Sequence, residues 1–242
     1  MSTTNRHWVR QAAINGDVEE LRRELAIGHA IDEYDIHGMT LLHFLCAMRP
    51  GGDRLACFHL LIEAGADPTK RTEYGDNFPL LLAAEFHPEL VAALLASGAQ
   101  SDVNRINELR QTPLHLACRS VLYSTVECVA LLLSRGAAVN ARDEIGQTPL
   151  NYAISCRVCQ VYPVLLRAGA ALPAPGTDQW RRIQRYPEFI YLKKVAAAGG
   201  YRNYERDHLN ALSGIFVPKF SRVLPPEMVR RVVEYASDVG GH

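Results

Sequence analysis

Residues 136–153 read GAAVNARDEIGQTPLNYA, and each part of that stretch dictates a local conformation. Gly136 follows an apolar segment ending in Leu132-Leu133, and glycine readily takes the left-handed conformation that stops a helix. The run from Gly136 to Thr148 then reads as an extended finger with a tight turn at Gly146, where Asp143 supplies turn chemistry. Thr148 can cap a helix. Pro149 occupies the first helical position, where its missing N–H does no harm. Ala153 is small enough to let that helix pack closely against a neighbour.

The same chemistry recurs along the chain. Relatives of Thr-Pro-Leu-Asn at 148–151 stand at 40–43 (TLLH), 78–81 (FPLL) and 112–115 (TPLH), at gaps of 38, 34 and 36. Gly-Ala after an apolar helix recurs at Gly65, Gly98, Gly136 and Gly169, with a degenerate copy at Gly28, at gaps of 37, 33, 38 and 33. A period of 33 with small insertions accounts for both series. Thr to Gly-Ala takes 25, 20, 24 and 21 residues, so most extra residues fall between the two helices of a unit. There a surface turn tolerates them at small entropic cost. Each second helix carries a Leu pair, and His43 and His115 stand where an imidazole can bridge neighbouring loops. One such unit cannot bury its apolar face alone, so the units must stack.

The pattern resembles the ankyrin-repeat family. It covers residues 8–172 as an N-terminal cap at 8–32 and four repeats, after a short N-terminal tail at 1–7. The resemblance implies an all-α fold: a solenoid of helix-turn-helix units with extended fingers. A helical C-terminal region at 179–242 follows a linker at 173–178 (PAPGTD). Three departures stand out. Arg110 replaces the turn glycine of the third finger, Leu81 and Asn151 replace the motif histidine, and Pro163 should kink the second helix of the last repeat.

Composition narrows the class of function. Apolar residues make up 48% of the 242 and charged residues 21%, which is ordinary for a globular chain. Lys plus Arg and Asp plus Glu are 26 each, so the chain lacks the basic excess of a dedicated nucleic-acid binder. The opening MSTTNRHW has no apolar run of a secretory signal, and no apolar stretch reaches the ~20 residues of a membrane span. Six cysteines are too few for a disulfide framework. The expectation is a protein of the cytoplasm or nucleus.

No catalytic motif appears, and no cofactor is expected. The sequence has no HExxH, GxSxG, phosphate loop or nucleotide fingerprint. Cys156 and Cys159 form a CxxC, but no second ligand pair accompanies it, as zinc would want. It falls between two helices rather than after a strand, so the pair reads as core or surface thiols. Cys46 and Cys118 take the place of a small helix residue. Residues 173–242 carry eleven basic and seven acidic side chains, with Arg181, Arg182 and Arg185 on one helix, which reads as a solvated face.

Past the repeats the expected helices are 178–186 with Asp178 as cap, one opening at Pro187 and ending at Gly199-Gly200, one over 203–217, and a last amphipathic segment. That last segment, LPPEMVRRVVEYA at 224–236, resembles the opening of an F-box through Leu224, Pro225, Glu227, Val232, Val233 and Tyr235, with Met228 on its apolar stripe. Repeats ending this way are similar to the PRANC arrangement of poxviral adaptors. That resemblance implies a substrate adaptor that recruits a cullin-type ubiquitin ligase through its tail. The alternative is a helix that caps the open end of the stack.

The repeat phase also places a binding surface. Stacked units of this family offer a concave face, lined by fingertips and by the exposed side of each first helix. The fingertip candidates are Ile36, His37, Met39, Tyr74, Asp76, Leu109, Gln111, Glu144, Ile145 and Gln147. The first-helix candidates are Met48, Glu85, Phe86, Arg119 and Ser120. Six of these, Ile36, Met39, Tyr74, Phe86, Leu109 and Ile145, are apolar where a solvated tip should be polar. Aromatic and Met side chains are enriched in interface cores. The expectation is a non-enzymatic module that binds another protein here, with Tyr74 and Phe86 as anchors. A structural subunit of a larger assembly is a further alternative.

Overall fold

A computed structural model describes residues 3–28, 31–48, 51–97, 103–121 and 125–220. The described residues are helical, with no strand among them. The chain divides into two compact units, residues 1–161 and 162–242.

The first unit is two rows of helices. The inner row is α1 (Thr3–Asn15), α3 (Leu41–Ala47), α5 (Pro79–Phe86), α7 (Pro113–Arg119) and α9 (Pro149–Cys156). Each packs on the next along the row. The outer row is α2 (Val18–Ala26), α4 (Arg54–Glu63), α6 (Pro88–Ala96) and α8 (Thr125–Ser134), again each against the next. The seam between the rows is apolar. Leu42, Leu45, Leu61, Leu80, Leu94, Leu114, Leu132 and Leu150 are all fully excluded from solvent or nearly so. Burying a leucine side chain contributes about 2 kcal/mol. This is the solenoid that the repeat period predicts.

The helix starts obey the local chemistry. Pro opens α5, α7 and α9, and Thr148 Oγ1 accepts the N–H of Asn151 at 3.3 Å to cap α9. Asp17 and Asp53 cap α2 and α4 in the same way. The finger glycines Gly38, Gly75 and Gly146 all have positive φ. Arg110 takes the left-handed conformation too, at φ 57°, so the third finger keeps its turn without a glycine. The turn of finger two, Thr72 to Asn77, is one residue longer than Asp35 to Met39 and Asn107 to Gln111, and Asp76, next to Gly75, absorbs the extra residue at φ 53°.

Cap and first repeat meet backbone to backbone. A Cβ on Gly52 would lie 2.3 Å from the Asn15 oxygen and 2.4 Å from the Gly16 oxygen. Arg54, buried beside this junction, donates to the carbonyls of Leu45 at 2.7 Å and Ile14 at 2.6 Å. Burial holds its pKa below the usual arginine range.

A 3-10 turn at Cys159–Val161 ends the first unit, and α10 (Tyr162–Arg167) follows directly. Pro163 therefore sits in the first turn of a short helix, where it breaks no hydrogen bond, and not at a kink within a longer one.

The second unit contains α10, α11 (Asp178–Arg185), a 3-10 turn at Pro187–Phe189, α12 (Ile190–Ala197) and α13 (Tyr201–Phe220). Its core is Tyr162, Leu165, Ile183, Phe189, Leu192 and Val195, with the Tyr162 and Phe189 rings 6.3 Å apart. Thr177, not Asp178, caps α11, accepting the N–H of Trp180 at 3.2 Å. Asp178 is the next residue and pairs with Arg181 at 2.9 Å. The helix expected over 203–217 extends over Tyr201–Phe220. The F-box-like segment with Leu224, Pro225, Glu227, Met228, Val232, Val233 and Tyr235 lies outside the described residues. No helix among the described residues is long and apolar enough to cross a membrane.

Candidate functional site

Four fingers project from the inner row, and the same device shapes each. Asp35 Oδ1 accepts the N–H of His37 at 2.8 Å and of Met39 at 3.1 Å. Asp143 Oδ1 does the same for Ile145 at 3.1 Å and Gln147 at 2.7 Å. Asn107 Oδ1 takes Gln111 N at 2.9 Å, and Thr72 Oγ1 takes Asn77 N at 3.0 Å. These side chains copy a backbone turn, which is why Asp, Asn and Thr serve there.

Backbone hydrogen bonds tie neighbouring tips. Glu73 donates to the Gly38 carbonyl at 2.9 Å, Glu108 to Gly75 at 3.2 Å, and Glu144 to Leu109 at 3.0 Å. Gly38 also has to be bare, because a Cβ there would lie 2.6 Å from the Cβ of Glu73.

Beneath the tips, histidines bridge repeats as the sequence pattern suggests. Nδ1 of His43 accepts the Thr40 N–H at 3.1 Å, so Nε2 carries the proton and donates to the Lys70 carbonyl at 3.0 Å. His115 repeats the arrangement with Thr112 at 3.1 Å and the Gln147 carbonyl at 3.1 Å. Repeat two has Leu81 in place of the histidine. There two arginines substitute: Arg71 donates to the Ile106 carbonyl at 3.0 Å, and Arg105 to the Thr69 carbonyl at 2.8 Å. Both guanidiniums lie over the buried Phe78 ring, at 5.7 and 5.1 Å. Only their spacing from the finger marks these arginines, and the motif reading passes over them.

The candidate surface residues sort into two groups. Ile36, Tyr74, Leu109 and Ile145 are exposed at 86%, 68%, 51% and 78%, so the apolar tips face solvent. His37 and Glu144 are also exposed, whereas Met39, Met48 and Phe86 are half-buried. Other candidates are engaged within the fold. Asp76 pairs with Arg71. Glu85 and Arg119 form a two-armed ion pair at 3.2 and 2.5 Å across α5 and α7. Gln111 Nε2 donates to the Tyr152 hydroxyl at 2.8 Å, which in turn donates to Asp143 Oδ2 at 2.8 Å. Gln147 gives its carbonyl to His115. Ser120 is buried at the end of α7.

Burial keeps four of the thiols protonated. Cys46, Cys57, Cys118 and Cys128 are buried, and burial pushes Cys57 up to about 11 and Cys128 up to about 12. Cys156 closes α9 and Cys159 opens the 3-10 turn, both half-buried. No group of three or more His, Cys, Asp or Glu among the described residues could hold a metal ion.

Family models match this architecture. A model of ankyrin repeats in three copies matches residues 80–174, and a model of a single ankyrin repeat matches residues 37–73. Together they take in more than half of the chain. The chain belongs to the ankyrin-repeat family.

Among similar proteins, Inversin of Canis lupus familiaris is 36% identical over 153 residues, 60% of this chain and 13% of the relative. Tyrosine-protein kinase HTK16 of Hydra vulgaris is 25% identical over 185 residues, 76% of this chain and 24% of that protein. Neurogenic locus notch homolog protein 4 of Homo sapiens is 37% identical over 111 residues, 46% of this chain and 5% of that protein. This ankyrin chain thus spans a quarter or less of the length of these relatives. Such repeats are an interaction fold, and protein binding is the class of function that membership of the family supports.

Proposed function

We propose that the chain is a non-catalytic module that grips a partner protein on the concave side of its repeats, with Tyr74 and Phe86 as anchors. The observation that carries this reading is the row of exposed apolar side chains on the fingertips. Ile36, Tyr74, Leu109 and Ile145 stand on successive tips that backbone hydrogen bonds hold in register. A large apolar side chain on a mobile loop gains little from binding, because ordering the loop offsets the gain. On a tip already fixed, that cost is met during folding. Phe86, at the end of α5, is half-buried and offers a second apolar foothold beside the Glu85–Arg119 pair. Buried aromatic anchors typically dominate interface energetics. The reading places the protein in a reducing compartment, cytoplasm or nucleus, where its four buried thiols stay reduced.

The test is affinity purification from cells with two full-length baits, unaltered and Tyr74→Ala with Phe86→Ala. The reading expects partners that come down with the first bait and are lost with the second. An identical set of tightly held partners on both baits would contradict it.

A further inference from the structure

Three successive fingertips present the same pair of residues: Glu73-Tyr74, Glu108-Leu109 and Glu144-Ile145. In each pair the glutamate N–H is the one that ties its tip to the preceding tip. The carboxylates therefore form one column at the repeat pitch, and the apolar side chains form a second column beside it. All six residues are exposed. The arginines nearby are largely committed: Arg71 to Asp76 and Ile106, Arg105 to Thr69, Arg142 to the Gly146 carbonyl, and Arg119 to Glu85. Arg110 is exposed at the third tip, and Arg105 and Arg142, bonded to neutral carbonyls at the finger bases, keep their charge as well. Exposed carboxylates repeated at the tip pitch give this edge a column of negative charge that a cationic partner complements.

From this surface we infer the chemistry of the partner: a basic, extended segment of another protein, in polyproline-II-like conformation, laid across tips two to four. The pitch decides the conformation. Packed helices stand about 8–10 Å apart, and the tips inherit that spacing. A polyproline II chain has 3 residues per turn and rises about 3.1 Å per residue, so positions i, i+3 and i+6 lie on one face about 9 Å apart. Apolar residues at those positions meet Tyr74, Leu109 and Ile145. Lys or Arg in a neighbouring column meets Glu73, Glu108 and Glu144. A helix repeats a face at i and i+7, about 10.5 Å apart, which overshoots this spacing step by step across three tips, so it fits less well. The inference rests on the protein-binding reading and narrows it to one partner chemistry.

The test is selection of a phage-displayed random peptide library on the intact chain, followed by binding of the selected peptides to variants. The expected peptides carry excess Lys or Arg and apolar residues three apart. Their affinity should fall about tenfold or more in the triple variant Glu73→Gln, Glu108→Gln, Glu144→Gln, and should weaken with added salt. Selected peptides without basic excess, or basic ones indifferent to the triple variant, would overturn the inference. So would a library that yields no peptide above a bare-surface control. Neutral peptides that lose binding on Tyr74→Ala with Phe86→Ala would overturn the basic segment and leave the protein-binding reading standing. Peptides indifferent to both sets of substitutions would count against both.

Discussion

The Nε2 of His43 lies 3.0 Å from the carbonyl oxygen of Lys70, the residue that leads into the next finger, and the imidazole is wholly buried. Burial favours the neutral ring and holds the pKa of His43 down to about 4. The same cause lowers His87 and His115. The unfolded chain, with histidines near their usual 6.5, therefore binds more protons than the folded chain at mildly acidic pH. Stability is full above pH 6.5 and falls as pH drops from there through about 4. For His43 alone the loss is about 2 kcal/mol at pH 5. Urea midpoints at pH 7.5 and pH 5 check this. His43→Leu with His115→Leu, which copies the residue at 81, should shrink the acid-induced loss.

Gly52 and Gly136 both have positive φ, at 61° and 84°, but their surroundings differ. A Cβ at 52 meets two backbone oxygens of the cap, while at 136 it meets nothing within 4 Å. Gly136→Ala should cost about 1 kcal/mol, the conformational term alone. Gly52→Ala should cost about 3 kcal/mol or more, because backbone atoms must move apart. Thermal unfolding of the two variants should separate them clearly.

Arg110 carries a strain that fingers one and four avoid. It holds φ 57° at the place where fingers one, two and four have glycine, and its side chain is exposed. Arg110→Gly should stabilise by about 1 kcal/mol and raise Tm by about 2–4 °C. It also removes an exposed cation beside Glu108, so a basic peptide should bind the variant at least as tightly.

What the sequence made legible follows from how local each cause is. A cap, a left-handed glycine and a proline at a helix start act within a few residues, so Thr148, Gly146 and Pro149 disclose their roles directly. The exposed tips followed from repeat phase alone. Arg71 and Arg105 did not, because their partners, Ile106 and Thr69, lie a full repeat away in sequence. Arg54 was missed for the same reason, since Ile14 is 40 residues off. The α11 cap was misplaced by one residue, because Thr177 and Asp178 are both good caps and only geometry chooses between them. Ser120 had the phase of a surface residue but is buried where α7 ends. Glu85 and Arg119 had the right place, though nothing local shows that they pair.

Tyr152 joins two fingers through one oxygen. Its hydroxyl accepts from Gln111 and donates to Asp143, the residue that shapes the fourth finger, and its ring packs edge-on against His115 at 5.2 Å. Burial and the Asp143 carboxylate hold its pKa above the usual tyrosine value, so the donor proton stays in place. Tyr152→Phe keeps the ring contact and removes only the oxygen. Asp143 Oδ2 then loses its donor in a poorly solvated position, which costs about 1–3 kcal/mol. Oδ1 still holds the turn, so the finger should form but exchange faster. Hydrogen exchange should show weaker protection at the amides of Ile145 and Gln147, with α3 unchanged. Uniform loss of protection across all repeats would instead mean that Tyr152 supports the whole stack.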